Sequence, residues 1–193
     1  MANLEPKLSE QILETAKSLF INKGYHGLSM REISEEIGVS KAALYYHFKD
    51  KEQLFLAILK AYLDDMEALL NRVVSESPSS REQIRLFVEY VLSQTAEQRA
   101  TTRLASQEVN HLSPASRKAF EKIYQEKFVG KIKSILQAGM DAGEFRVIPV
   151  DIAVWTLLGM MYTYFYPTHT GAKTVPAETI HEIATIYLKG IEK

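Results

Sequence analysis

Apolar residues recur at helical spacing along almost the whole chain, and no stretch longer than four residues alternates as a strand would. Over 9–23, Ile12, Leu13, Ala16, Leu19 and Phe20 share one face, and Gly24 follows as a C-cap glycine. Ser29, with Glu32 three residues on, has the capping-box pattern and predicts a second helix over 30–37, ended by Gly38. Ser40 caps a predicted third helix over 41–48, and Asp50 a fourth, whose apolar stripe runs from Leu54 to about residue 74. Residues 75–80, with Pro78, form a linker. Further helices are predicted over 81–98, 101–112, 114–142, 149–166 and 176–192, with Pro114, Pro149 and Pro176 in first turns. Residues 168–175 read as a loop. The fold class is therefore all-α, with about nine helices.

Composition narrows the function. The 193 residues are 46% hydrophobic, enough for a sizeable core. There is no cysteine, which excludes disulfides, thiolate metal sites and a cysteine nucleophile. The first 14 residues carry Glu5, Glu10 and Glu14 and no apolar run, so no secretory signal is expected. The apolar stretch over 148–166 is interrupted by Asp151 and reads as a buried helix, so no membrane association is expected. The five histidines form no HExxH cluster, and Glu108 with His111 lacks the second matched set of a di-iron bundle. GxGxxG, P-loop and GxSxG patterns are absent. No enzyme activity, cofactor or metal is expected. The net charge is −1, so contact with nucleic acid has to come from a local basic patch.

Segment 29–48, SMREISEEIGVSKAALYYHF, supplies the setting for such a patch: two short helices around a glycine turn, a helix-turn-helix. Ile33 and Val39 are placed to fix the angle between them. Ala42 and Ala43 let the second helix approach the major groove closely. From 37 to 51, three lysines (Lys41, Lys49, Lys51) face one aspartate, an excess of two positive charges. Lys41 is expected on a guanine edge or a phosphate, Ala43 on a thymine methyl, and Tyr45 and Tyr46 on or near the groove face. For both tyrosines, packing at a helix junction is the alternative. Arg31 either reaches phosphate or pairs with Glu35 one turn on.

Phe20, Gly24-Tyr25, Ser29, Arg31, Ile33, Ile37-Gly38-Val39-Ser40, Leu44-Tyr45, His47-Phe48, Lys51 and Leu54-Phe55 together resemble the TetR family of transcription regulators. The resemblance covers about a quarter of the chain; Ser29, Ser34, Ile37 and Ala42 depart from the commoner residues of that pattern. It implies an N-terminal three-helix DNA-binding head over 1–50, joined by a long fourth helix to a C-terminal helical ligand-binding and dimerisation domain over 51–193. It also implies a cytoplasmic homodimer on a palindromic double-stranded operator, a repressor released by a small-molecule effector. Tyr45, His47 and Lys51 match family positions that touch phosphate or hold the recognition helix. With Ser29, Arg31, Ser40, Lys41, Ala42, Ala43, Tyr46 and Lys49 they complete the expected DNA-binding set.

The dimer is expected through the last two helices, where Ala153, Thr156, Gly159 and Thr163 permit close approach. An apolar or aromatic effector would suit Phe87, Tyr90, Tyr124, Phe128, Trp155, Met160, Tyr162, Phe165 and Tyr166, oriented by tyrosine hydroxyls or His111. Ordinary core is the alternative for each of them. Two other functions stay open: a ligand- or metal-handling bundle without a DNA role, and a regulator that recruits a protein partner. An activator with the same head is a further variant.

Overall fold

The computed structural model describes residues 4–166 and 174–193, with side chains from residue 8. Most of the loop expected over 168–175, with His169, lies outside the described residues. The helices run in the order α1 (Leu4–Lys23), α2 (Met30–Ile37), α3 (Lys41–His47), α4 (Lys51–Glu76), α5 (Ser80–Leu92), α6 (Ala96–Glu108), α7 (Pro114–Tyr124), α8 (Gly130–Asp141), α9 (Val150–Tyr162) and α10 (Ala177–Ile191). The one β-type pairing among the described residues is an isolated antiparallel bridge between Phe145 and Glu192. No described helix is long and apolar enough to cross a membrane.

The chain forms two compact units, Met1–Tyr62 with Leu104–Lys122, and Leu63–Arg103 with Ile123–Lys193. In the first, the α1 stripe predicted from spacing supplies Ile12, Ala16 and Phe20, all fully buried. Ile33 of α2, Leu44 of α3, and Leu54, Phe55 and Ile58 of α4 complete the core. The Phe20 and Phe55 rings meet edge to face at 5.1 Å, and Tyr25 lies 5.2 Å from Phe55. Each such side chain removed from water stabilises by about 1.5–3 kcal/mol.

In the second unit α5 packs against α8 and α10, and α9 packs against both of these. Ile84, Phe87 and Val88 of α5, Ile132 and Leu136 of α8, Val154 and Leu157 of α9, and Tyr187 and Leu188 of α10 are buried. The Tyr187 hydroxyl donates to the Ala153 carbonyl at 2.8 Å. Burial holds this phenol above the usual tyrosine range.

Besides α1, which begins at Leu4 rather than near residue 9, three further boundaries differ from those predicted. The helices expected over 81–98 and 101–112 instead break at 93–95. There Thr95 N–H donates to the Gln98 side chain at 2.9 Å, and Gln98 N–H donates back to the Thr95 hydroxyl. This reciprocal cap starts α6 early. The buried Arg99 guanidinium donates to the Leu92 carbonyl at 3.2 Å and to that of Gln94, where α5 ends. The helix expected over 114–142 contains a π-helical turn at Gln125–Val129. Gly130 N–H bonds back five residues to Gln125 O, and a Cβ at Gly130 would lie 2.9 Å from that oxygen. The helix expected over 149–166 tightens into a 3-10 turn at Thr163–Phe165.

Gly139 is the tightest site in the second unit. A Cβ there would fall 2.3 Å from the Phe145 ring and 2.9 Å from Ser80 Cβ. Gly139→Ala is expected to lower the unfolding free energy by about 1–3 kcal/mol through overpacking. Urea unfolding followed by circular dichroism checks this; an unchanged midpoint would mean that Phe145 has room to move.

Candidate nucleic-acid interface

The helix-turn-helix is built from its caps. Ser29 N–H and hydroxyl donate to the Glu32 carboxylate at 2.8 and 2.7 Å, and Glu32 N–H donates back to the Ser29 hydroxyl at 3.2 Å. These bonds hold the Glu32 carboxyl below its usual range. α2 ends at Gly38 with φ of 77°, a left-handed conformation that glycine adopts without penalty. Val39 N–H then reaches back to Ser34 O at 3.0 Å. Ser40 starts α3 by accepting from Ala43 N–H at 3.1 Å.

α3 has seven residues, and Leu44 is the one buried among them; Phe48, its C-cap, is buried too. With the apolar side anchored at these two points, Lys41, Ala42, Tyr45 and Tyr46 stand in solvent. Tyr46 is 75% exposed and Tyr45 50%, so neither packs at a helix junction. Ala43 and His47 are half-buried, and His47 meets the Tyr46 ring edge at 5.3 Å. Lys49 is exposed beside Asp50, whose carboxylate accepts from Gln53 N–H at 2.8 Å and caps α4. Arg31 pairs with Glu35 at 2.8 Å. Both side chains are exposed, so this pair contributes little to stability and opens readily for phosphate.

Lys51 is placed differently from the other lysines. Its ammonium donates to the carbonyls of Tyr25 and Leu28, both at 2.8 Å, and sits 4.4 Å over the Tyr25 ring. Burial pushes it below the usual lysine range. It therefore joins the start of α4 to the connector between α1 and α2.

The same unit contains contacts that sequence reasoning missed. Glu52 accepts from Ser113 N–H at 3.2 Å, from the Ser113 hydroxyl at 2.7 Å and from the Ser116 hydroxyl. The Ser116 and Ser113 hydroxyls hold this carboxyl below its usual range. Tyr25 N–H donates to Glu108 at 3.2 Å, and the rings of His26 and His111 meet. The serine spacing marks a helix start, but nothing local in the sequence points to partners more than sixty residues away.

The expected effector residues fall into separate groups. Phe87, Tyr124 and Phe128 cluster in the second unit, with ring centres 6.0 Å apart for Phe87–Phe128 and 5.5 Å for Tyr124–Phe128. Burial pushes the Tyr124 hydroxyl up to about 12. Tyr162, Phe165 and Tyr166 form a second group, with the two tyrosine hydroxyls 2.6 Å apart. Tyr90 instead donates to Glu76 at 2.6 Å, beneath the Arg72 guanidinium. Met160 is half-buried. Trp155 is 49% exposed, on the α9 face that also exposes Ile152, Thr156, Gly159 and Tyr162. His111 lies in the first unit, because the chain after α6 folds onto the α1–α2 connector.

A capped helix-turn-helix that exposes the polar side of its second helix defines a DNA-binding protein of the helix-turn-helix class. Residues 12–58 match the bacterial regulatory proteins of the tetR family, and residues 77–190 match the tetracyclin repressor-like C-terminal domain. The chain belongs to the TetR family of transcription regulators, which are not enzymes. The transcriptional activator FasR of Mycolicibacterium smegmatis is 35% identical over 79 residues, 41% of this chain and 36% of FasR. That match thus spans about a third of FasR's length. The transcriptional repressor KstR2 of Rhodococcus jostii is 26% identical over 144 residues, 74% of this chain and 71% of KstR2. Among solved structures, AibR in complex with isovaleryl coenzyme A and operator DNA superposes with a TM-score of 0.75 at 26% identity. It covers 96% of this chain and 98% of AibR.

Lys51→Ala is expected to weaken binding to every duplex by loosening the connector, while the salt dependence stays near that of the parent. A slope lower by about one would instead assign Lys51 to a phosphate. Glu52 supplies stability above the ordinary carboxyl range, and this is lost as the pH falls through its lowered value. Urea midpoints of the parent and Glu52→Gln should therefore differ at neutral pH and converge between about pH 5 and pH 3. A gap that stays constant would show that the carboxylate charge is not what the serines hold.

Proposed function

We propose that this regulator binds a palindromic duplex operator as a homodimer and represses transcription in the cytoplasm until a small apolar or aromatic effector releases it. The observation that carries the reading is the solvent-facing side of α3, with Lys41, Ala42, Tyr45 and Tyr46 free of internal packing. Lys41 is assigned to a guanine edge or a phosphate, and the tyrosines to phosphates and the groove floor. Ser29, Arg31, Ser40, His47 and Lys49 flank them as backbone-positioning residues, and Ala43 is assigned to a thymine methyl.

Support for the dimer comes from α9. Ile152 is 60% exposed, and with Trp155, Thr156, Gly159 and Tyr162 it forms an outward stripe at helical spacing. Ile186 of α10 is also exposed. Large apolar side chains beside a glycine suit a helix-to-helix seam between two copies. Trp155 and Tyr162 are then seam residues, leaving Phe87, Tyr124 and Phe128 as the inner group for an effector. The π-helical turn that contains Phe128 supports that choice, since such turns are frequent at functional sites. AibR is solved with isovaleryl coenzyme A, whose isovaleryl group is apolar. A coupling of about 1–3 kcal/mol between effector and operator, roughly 5- to 150-fold in affinity, would suffice for release.

Fluorescence anisotropy on a selected palindromic duplex tests the head. Lys41→Ala and Tyr46→Ala should each cost about tenfold or more in affinity, a loss of at least ~1.4 kcal/mol. Sedimentation of Trp155→Glu tests the seam, and a monomer is expected. Full affinity in both head variants would remove α3 from the interface; an intact Trp155→Glu dimer would move the seam elsewhere.

A further inference from the structure

We propose that His26 and His111 form a binding site for a divalent transition-metal ion, with Glu108 orienting His111. His26 lies in the α1–α2 connector, three residues before the Ser29 cap, and His111 ends the 3-10 turn Val109–His111 that follows α6. Their side chains are exposed, and His26 Nε2 lies 2.9 Å from His111 Nδ1. Two imidazoles at that distance hydrogen-bond to each other when no ion is bound, and the same two nitrogens are close enough to share an ion.

A straight N–H···N bond of this length would set the ring centres more than about 5 Å apart. The centres are 4.3 Å apart and the planes cross at 79°, so the hydrogen bond between the rings is bent. Two nitrogens each about 2.1 Å from one ion, with rings aimed at it, would be 2.9 Å apart at an angle of about 90°, with ring centres about 4.5 Å apart. That is the cis arrangement of a square-planar or octahedral ion. Imidazole ligands in that geometry favour Cu2+ or Ni2+ over tetrahedral Zn2+.

The surroundings of His111 fit the same role. Its other nitrogen, Nε2, faces Glu108 Oε2 at 3.5 Å, and the same oxygen accepts the Tyr25 N–H. With an ion bound, a carboxylate behind the far nitrogen would favour the proton there and leave the Nδ1 lone pair for the metal, as in metal–histidine–carboxylate triads. The Tyr25 ring is parallel to that of His111, 6.4 Å between centres. Among the described residues no three His, Cys, Asp or Glu side chains converge as ligands. The ion would thus take two ligands from the protein and complete its shell with water. Its effect would be to staple the connector that leads into α2 onto the turn after α6. No local sequence pattern marks this pair, because its members stand 85 residues apart.

The test is calorimetric titration of NiCl2 into the untagged full-length chain at neutral pH, with thermal melts of the same samples. One Ni2+ per chain is expected, with a raised melting temperature. His26→Gln and His111→Gln should each weaken binding at least tenfold and abolish the thermal shift. Glu108→Gln should weaken it about tenfold. His181→Gln, on the exposed side of α10, should bind like the parent. Melts in metal-free buffer establish that each variant is folded, and two independent histidine variants guard against loss of either. No saturable uptake below about 1 mM, or undiminished uptake in both histidine variants, would overturn the site.

Discussion

A helix of seven residues does not persist alone in water, because the cost of its first turn is never recovered over so short a length. That limit governs the first unit. α3 has seven residues and α2 eight, yet α3 offers the surface on which the DNA-binding reading rests. Each exists because its ends are capped and its apolar side is anchored to the core. Ser29, Gly38 and Ser40 supply the caps, and Ile33 and Leu44 the anchors. The Lys51 ammonium adds a polar tie by satisfying two carbonyls of the segment that leads into α2. A short helix held this way presents its outer face with little freedom to shift, which readout of base edges requires.

The second unit obeys a different logic. Its helices are longer and bury wide apolar faces, so fewer polar devices are needed. Departures from regularity stand out there. The π-helical turn at Gln125–Val129 widens the backbone next to Phe128 and depends on glycine at 130. The outer face of α9 keeps Ile152 and Trp155 in solvent although the helix is apolar nearly all round. That surface is the one assigned above to the proposed seam between two copies.

Much of this was legible in the residues themselves. The caps at Ser29, Ser40 and Asp50 and the glycine turn at Gly38 are local signals, and each appears where the pattern placed it. The apolar faces of α1, α4 and α10 were equally readable, since periodicity reports burial directly. The end of α5 was not, because the Thr95–Gln98 cap lies inside an otherwise unbroken helical pattern. Nor was the role of Lys51, since sequence marks a positive charge but not the carbonyls it meets. Trp155 shows the same limit: an aromatic residue on an apolar helix reads alike whether it faces a core, a ligand or solvent. Glu52 with Ser113, and His26 with His111, are long-range pairs that no local pattern encodes.

The first unit is discontinuous along the chain. Residues 104–122 return to it, bringing Glu108 to the Tyr25 amide, His111 to His26, and Ser113 and Ser116 to Glu52. A fragment cut after α4 would lack all of these partners. Grafting this reading head onto the sensor of a relative at a single crossover would do the same. A functional chimera therefore needs three junctions, one in α4 and one on each side of the α6–α7 corner that travels with the head. Recombination among such regulators would be constrained accordingly: the specificity of this head and the corner beneath it are inherited together.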